Sequence, residues 1–172
     1  MQYKFEKYYF DDDGTTPNSH LPLIVYHQVT DVEDKSAWLE ERFKANGWTN
    51  NWRDIVLPYH HFHSTTHEVL GVGKGSVTLQ IGGKNGIKIE VSAGDVLIIP
   101  AGVGHRAVSR HKNYEIVGGY PDGRDWDLLK GSAEERKKAL PRIAQLPIPN
   151  TDPIFNQEGE LLKWWIWVKA LK

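Results

Sequence analysis

Residues 59–68 of the chain read Tyr59-His60-His61-Phe62-His63-Ser64-Thr65-Thr66-His67-Glu68. Four of these residues are histidines and the last is a glutamate, and imidazole and carboxylate groups are common metal ligands in proteins. Because side chains alternate along a β-strand, His61 and His63 would lie on the same face, where both can bind one ion. The stretch therefore predicts a metal site built on a β-strand.

Two further groups can join this pair of histidines. Glu68 follows a polar turn and begins the apolar run Val69–Val72, so it can return to the site from the neighbouring strand. Farther along, Val96–Ile99 is predicted to be a buried strand, and a turn rich in Pro and Gly then leads to His105. Glu68 and His105 are therefore candidates to complete the site.

The two stretches together resemble the paired motifs of the cupin superfamily. The first motif is His-x-His, four residues, Glu, six residues and Gly, which here are His61, His63, Glu68 and Gly75. The second motif is Gly, five residues, Pro-x-Gly, two residues and His, which here are Gly94, Pro100, Gly102 and His105. The chain departs from the family pattern at Ile55 and Ser109, where cupins often have Gly and Asn, and these positions shape turns.

The resemblance implies an all-β fold, namely a cupin jelly roll (a double-stranded β-helix barrel) with a few peripheral α-helices. A single cupin domain would span residues 1–172, with its barrel core at about residues 55–120. The N-terminal strand and helix and the C-terminal extension would pack on that core. The chain is most similar to small bacterial single-domain cupins that carry a His-His-x-His-Ser-Thr-x-His-Glu stretch, and this similarity implies no established substrate.

The resemblance also implies a cofactor, which is one divalent transition metal (Fe, Mn, Ni or Zn). Its implied ligands are His61, His63, Glu68 and His105. Glu68 is also the candidate catalytic residue, because a carboxylate that leaves the metal can act as a base. A jelly roll without metal stays open as the alternative, since some cupins carry none.

Two neighbours of the ligands are candidates for the substrate pocket. His67 and Glu68 are adjacent, so only one of them can point inward from a strand. The family spacing favours Glu68, and a ligand set with His67 in its place is the alternative. Tyr59 has the inward parity of His61 and His63, so its side chain either contacts a substrate or packs in the barrel.

Short alternating strands separated by turns occupy most of the sequence between residues 56 and 120. This pattern predicts an antiparallel sandwich or barrel. Residues 113–117 are predicted to form the last strand, which would end before Gly118-Gly119.

The segments outside the barrel predict a few peripheral elements. An amphipathic helix is expected at residues 34–45, followed by an irregular segment at residues 47–52. Ser132, with an acid three residues later, predicts a capped helix of about two turns. The proline-rich residues 141–153 are expected to lie extended over the surface.

The composition excludes several classes of protein. A net charge of −1 does not indicate a surface that binds nucleic acid or an anionic membrane. The absence of cysteine excludes thiolate ligands and disulfides. The first residues lack an apolar signal core, and no apolar run approaches the ~20 residues of a membrane span. We therefore expect a cytoplasmic protein.

The run Leu161–Val168 is too apolar to remain in water, which predicts packing on the barrel or on a second copy in a homodimer.

Three functions compete at this point. The first is a mononuclear metalloenzyme, of dioxygenase or isomerase type, that acts on a small oxygenated organic molecule. The second is a non-catalytic module that binds or senses a sugar or another small molecule. The third, weaker hypothesis is a structural or storage role. The sequence carries no tethered effector domain of the kind a sensor uses, which favours the enzyme.

Overall fold

Nine β-strands and three α-helices make up the part of the chain that the computed structural model describes, residues 3–166. In chain order the strands are β1 (Lys4–Phe10), β2 (Ser19–His27), β3 (Trp48–Asp54), β4 (Glu68–Lys74), β5 (Ser76–Ile81), β6 (Ile87–Ser92), β7 (Val96–Ile99), β8 (His105–Ala107) and β9 (Glu115–Pro121). The helices are α1 (Lys35–Ala45), α2 (Ala133–Gln145) and α3 (Glu160–Trp164).

The strands form two antiparallel sheets. The larger sheet has six strands in the order β1-β2-β7-β4-β9-β3, and the smaller has three in the order β6-β5-β8. Buried side chains from both sheets, such as Leu70, Leu79 and Leu97, meet in one core cluster. The expected all-β architecture with a few helices is confirmed.

The larger sheet is buried on both faces. Its inner face contributes Leu70 and Ile99 to the core between the sheets, whereas Val69 and Ile98 belong to a second cluster on the outer face. Helices α1 and α3 supply side chains to that outer cluster. This double burial explains why β7 is apolar at every position, as the sequence predicted for a central strand. It also means that alternate residues of β4 face two different apolar layers.

Residues 47–52 were expected to be irregular, but most of them form the first part of strand β3. Trp48–Asp54 pairs with β9 at the edge of the larger sheet, with a register shift between Thr49 and Trp52. Asn50 lies in this shift with a φ of 58°, a backbone conformation that Asn tolerates better than most residues. The expectation was wrong because an edge strand interrupted by a bulge has no regular alternation of polar and apolar residues.

Strand β9 does not end before Gly118-Gly119 as predicted, but continues through both glycines to Pro121. The reason is a close approach between strands. Gly118 pairs with Trp52, and a Cβ added to Gly118 would overlap the Trp52 indole ring. The glycines therefore make room for an aromatic side chain, which is one of the roles glycine has inside a strand.

Two expectations about the segment after residue 130 need correction. The capping box at Ser132 is present, but helix α2 has 13 residues and continues through Pro141. Pro141 therefore does not begin an extended segment. Ala139 and Ile143 are buried on either side of it and pack with Phe62, and this burial offsets the backbone hydrogen bond that proline cannot make.

The C-terminal segment packs against the outer face of the larger sheet. The indole of Trp165 is buried and donates a hydrogen bond to the carbonyl of Pro22, 2.9 Å away. Buried Asp152 accepts hydrogen bonds from the Tyr26 hydroxyl and from the backbone amides of Ile154, Phe155 and Leu161. Trp167 and Val168, which belong to the same predicted apolar run, lie outside the described residues. Within residues 3–166, no helix has the length and hydropathy needed to cross a membrane.

The contact between Gly118 and Trp52 yields a prediction about stability. Gly118→Ala should lower the free energy of unfolding by about 1–3 kcal/mol, because the new methyl group overpacks against the indole. Chemical denaturation measures this cost. The same substitution in a Trp52→Ala background should cost clearly less. Equal costs in the two backgrounds would contradict this explanation.

Candidate metal centre

Main-chain pairing brings His61 and His105 together. The amide of each donates to the carbonyl of the other, at 3.2 Å from His61 and 2.9 Å from His105. Their rings lie on the same side, with centroids 4.2 Å apart. His61 and His63 are not in a regular strand as predicted, but in a short segment held between β8 and Leu129. The two-residue spacing still directs both rings to one place, since their centroids are 5.7 Å apart.

The backbone fixes which nitrogen of each ring is free. The Nδ1 atoms of His61, His63 and His105 lie against the carbonyl oxygens of Tyr59, Asp127 and Val103, respectively. A carbonyl oxygen only accepts hydrogen bonds, so each Nδ1 carries the proton and each neutral ring keeps its lone pair on Nε2. All three rings can offer a nitrogen within 4.8 Å of those of the other two, and all three side chains are buried. The cluster could therefore hold a metal ion.

Glu68 faces the same three histidines from the start of β4. Its Oε1 atom lies 3.1 Å from Nε2 of His105 and 3.4 Å from Nε2 of His63. A carboxylate oxygen and an imidazole lone pair are both acceptors, so a proton or a cation must lie between them. This donor set of three nitrogens and one carboxylate fits a divalent transition metal, which replaces the shared proton.

Burial and charge set the protonation of the cluster. Burial and the neighbouring His105 lower the pKa of His61 to about 3, which keeps that ring neutral. Burial alone would raise the pKa of Glu68, but the charge of His63 and hydrogen bonding from His105 hold that pKa well below its usual range. Burial likewise opposes a charge on His63, but Glu68 outweighs it and raises the pKa of His63. Glu68 therefore stays ionised, as binding a cation requires.

A short chain of hydrogen bonds orients the other oxygen of Glu68. The hydroxyl of Tyr120 donates to Oε2 over 2.8 Å, and it accepts a hydrogen bond of 2.8 Å from the indole nitrogen of Trp52. Burial and the adjacent charge of Glu68 raise the pKa of Tyr120, so the phenol keeps its proton. The sequence analysis did not identify Tyr120 or Trp52. Their role arises from the pairing of β4, β9 and β3, which no short motif encodes.

Asp127 holds the loop that carries His63. Its carboxylate accepts hydrogen bonds from the amides of Ser64 and Thr65, at 2.7 and 3.2 Å, and from both of their hydroxyls. Its carbonyl accepts the proton on His63 Nδ1. Asp127 thus fixes both the loop and the orientation of one candidate ligand. The sequence analysis missed this residue too, because it is more than 60 positions away from the loop.

The structure places His67 on the opposite face of the larger sheet from Glu68. Its buried ring lies 4.8 Å from that of Trp165, and its Nδ1 accepts a hydrogen bond from the amide of Ala101. Adjacent residues of an extended chain point to opposite sides, and Glu68 takes the inner one. The fold therefore brings Glu68, and not His67, to the three histidines. His67 is not among the residues that line the cavity next to them.

Tyr59 holds one of the histidines through its backbone. Its carbonyl oxygen accepts the proton on Nδ1 of His61. Its ring lies 5.8 Å from the His61 ring, between centroids, and beneath the ammonium group of Lys130, which is 4.5 Å from the ring centroid. Residues 58–60 are not in a strand, so the alternation of side chains from which a substrate contact was inferred does not apply here, and that contact stays a prediction.

A cavity of about 340 Å³ lies directly above the cluster. His61, His63, Glu68 and His105 all line it, together with Tyr120 and Trp52. Trp126 forms part of its wall, with a ring centroid 5.6 Å from that of His63. The candidate ligands are thus next to a space that a small molecule can occupy. The loop that carries Trp126 had no distinguishing signal in the sequence.

A β-sandwich with a buried cluster of histidines and a carboxylate that could hold a metal ion is the arrangement of a jelly-roll protein. Residues 54–115 match the family model described as Cupin domain. The chain is also 39% identical over 168 residues to Uncharacterized protein YjlB of Bacillus subtilis (strain 168), a match that covers 96% of this chain and 99% of the relative. The chain therefore belongs to the cupin family, and its fold is the expected cupin jelly roll.

Solved structures share this fold at low sequence identity. One is QdtA, a sugar 3,4-ketoisomerase from Thermoanaerobacterium thermosaccharolyticum, with 18% identity, a TM-score of 0.43 and coverage of 55% of this chain and 75% of that one. Another is acireductone dioxygenase from Bacillus anthracis, with 17% identity, a TM-score of 0.38 and coverage of 72% and 80%. Neither similarity identifies the chemistry of this chain.

The hydrogen bonds of Asp127 lead to a prediction. Asp127→Ala should lower the free energy of unfolding by about 1–3 kcal/mol, because two backbone amides and the Ser64 hydroxyl lose their acceptor. Urea denaturation followed by tryptophan fluorescence measures the loss. Asp125→Ala is the matched control, since Asp125 is an exposed residue of the same loop. Equal stability of the two variants would show that Asp127 does not hold this loop.

Proposed function

We propose that this cupin is a mononuclear metalloenzyme, of dioxygenase or isomerase type, that acts on a small oxygenated organic molecule. The proposed metal is one divalent ion (Fe, Mn, Ni or Zn), and its proposed ligands are His61, His63, Glu68 and His105. The observation that carries the proposal is the meeting of three imidazole lone pairs and one ionised carboxylate in a buried cluster that opens into a cavity.

Each group of the proposed site would have a separate role. When bound, the ion supplies a Lewis acid or, if it is redox-active, a site for one-electron chemistry. The three carbonyl contacts at Nδ1 hold the imidazoles in place and in the correct tautomer. Glu68 is the one carboxylate within the buried cluster, so it is the candidate to take a proton from a substrate hydroxyl. Tyr120 donates to Oε2 and keeps the carboxylate in one orientation.

Metal uptake tests the ligand set. Protein treated with a chelator should bind about one equivalent of Zn²⁺ in a calorimetric titration. The double variant His61→Ala/His63→Ala should lose this binding, because two of three imidazoles are removed. His60→Ala is the matched control, since His60 is adjacent in sequence but is not in the cluster. Equal zinc binding by the double variant, or loss of binding in the control, would contradict the proposed ligands.

The role of Tyr120 can be tested in the same titration. Tyr120→Phe removes only the hydroxyl that bonds to Glu68, and it should weaken zinc binding roughly 10- to 100-fold. Tyr114→Phe is the matched control, because the Tyr114 hydroxyl accepts from the amide of Val56 and does not bond to a proposed ligand. If the two variants bind zinc equally well, the hydroxyl of Tyr120 has no part in orienting Glu68.

Catalysis itself needs a separate test. The metal found in the purified protein selects the screen, which is O₂ uptake for iron, manganese or nickel and non-redox isomerisation for zinc. Turnover of a small oxygenated compound that is abolished by Glu68→Gln would support the enzyme. A metal-loaded protein that binds such compounds and returns each of them unchanged would instead support the non-catalytic binding or sensor function.

Two other expectations stay predictions and form part of this proposal. The first is a homodimer, which exposed apolar side chains near the C-terminus, such as Trp164 and Ile166, support. The second is a cytoplasmic location.

A further inference from the structure

The cavity above the cluster has walls of distinct chemistry. Apart from the proposed ligands at its floor, most of the residues that line it are apolar or aromatic. These are Trp52, Ile55, Val56, Leu57, Leu70, Tyr120, Trp126 and Leu128. The remaining ones are Asn50, Asn51 and Asp54. A molecule in this space would therefore bury most of its surface against hydrocarbon and aromatic rings.

The charged groups of this cavity are carboxylates and histidines. Among the cavity-lining residues that the structure describes, the ionisable groups besides the histidines and the phenol of Tyr120 are the carboxylates of Glu68 and Asp54, and none is a lysine or arginine. The nearby cations are engaged elsewhere, since Arg53 pairs with Glu40 and Lys130 lies over the ring of Tyr59. Phosphate and carboxylate groups are usually bound by arginine, lysine or a helix N-terminus. This cavity offers them no such partner.

A bound divalent ion would add positive charge only at the floor of the cavity, where Glu68 offsets part of it. Asp54 is exposed and accepts a hydrogen bond from the amide of Ile55, so water screens its charge. An anionic group held against the apolar walls, away from the ion, would lose its hydration without gaining a nearby counter-charge, and such burial is costly.

The size and shape of the cavity further limit which molecules can bind in it. A cavity of about 150 Å³ lined by aliphatic and aromatic side chains is enough to hold benzene, and this one is about 340 Å³. Trp126 lines the cavity, is 46% exposed and has its ring beside that of His63. Aromatic faces favour stacking of other planar groups. The space therefore suits a single substituted ring rather than a nucleotide-linked molecule.

We infer that the substrate of this site is a neutral, largely apolar, ring-sized molecule with an oxygen atom that reaches the histidine and Glu68 cluster. Compounds with a fixed phosphate or carboxylate group are excluded by the cavity walls. This inference rests on the proposed function, because it takes the cluster as the place where the oxygen binds. It adds the substrate class, which the ligand set alone does not define.

Matched probes test this inference. The zinc-loaded protein is titrated with catechol and 4-methylcatechol, which are neutral, and with 3,4-dihydroxybenzoate, which has the same ring and hydroxyls plus a carboxylate. Quenching of tryptophan fluorescence or calorimetry reports binding, and no turnover is needed. The neutral probes should bind roughly tenfold or more tightly than the anionic one.

A positive charge placed on the wall should reduce or remove this preference for neutral probes. Leu128 lines the cavity and is 38% exposed, so a polar replacement at this position is compatible with folding. Leu128→Lys should strengthen binding of 3,4-dihydroxybenzoate roughly tenfold relative to Leu128→Gln, the uncharged control of similar length. The affinity for 4-methylcatechol should differ little between the two variants.

The outcomes separate this inference from the proposed function. Zinc content is measured before each titration, and a protein that takes up no zinc overturns the proposed function and this inference with it. If zinc is bound but the anionic probe binds as tightly as the neutral ones, or no probe binds, the substrate class is wrong and the metal site stands. A preference for neutral probes that Leu128→Lys reduces or removes, relative to Leu128→Gln, supports the inference.

Discussion

The closeness of His105 Nε2 and Glu68 Oε1, 3.1 Å apart in a buried cluster, is the constraint on which the site depends. Two acceptors at this distance repel each other unless a positive charge lies between them. The backbone cannot relieve the conflict by moving the proton, because carbonyl oxygens hold it on Nδ1 of each histidine. A cluster with this arrangement in its interior could hold a metal ion between these acceptors.

The rest of the fold keeps these groups in register. The larger sheet is covered on both faces, so β4 cannot slip by one residue without exchanging Glu68 for His67 and reversing two apolar layers. The pairing of His61 with His105 ties the histidine segment to the smaller sheet, whereas Glu68 belongs to the larger one. The cluster therefore lies where the two sheets meet, and its geometry depends on their packing.

Local spacing was enough to predict the fold class and the four residues that converge. The spacing of two positions between His61 and His63 places both rings on one side, and a turn after β7 returns His105 to the same place, so short-range geometry carries the information. The argument for Tyr59 assumed the alternation of a strand, and the structure has no strand at that residue. Tyr120 and Asp127 contact the site only through pairings across 52 and more than 60 residues, which no local pattern reveals. The requirement for glycine at position 118 is likewise hidden from a local pattern. It arises because the indole of Trp52, on another strand, leaves no space for a Cβ atom.

The most direct test of the account is elemental analysis of the protein purified without added metal. The account predicts about one equivalent of a single transition metal per chain, because the cluster has one set of three imidazoles and a carboxylate. Wild-type protein that is purified empty and also fails to take up added Fe²⁺, Mn²⁺, Ni²⁺ or Zn²⁺ would contradict it. In that case the cluster would be held together by a shared proton, and the metalloenzyme function would have to be abandoned.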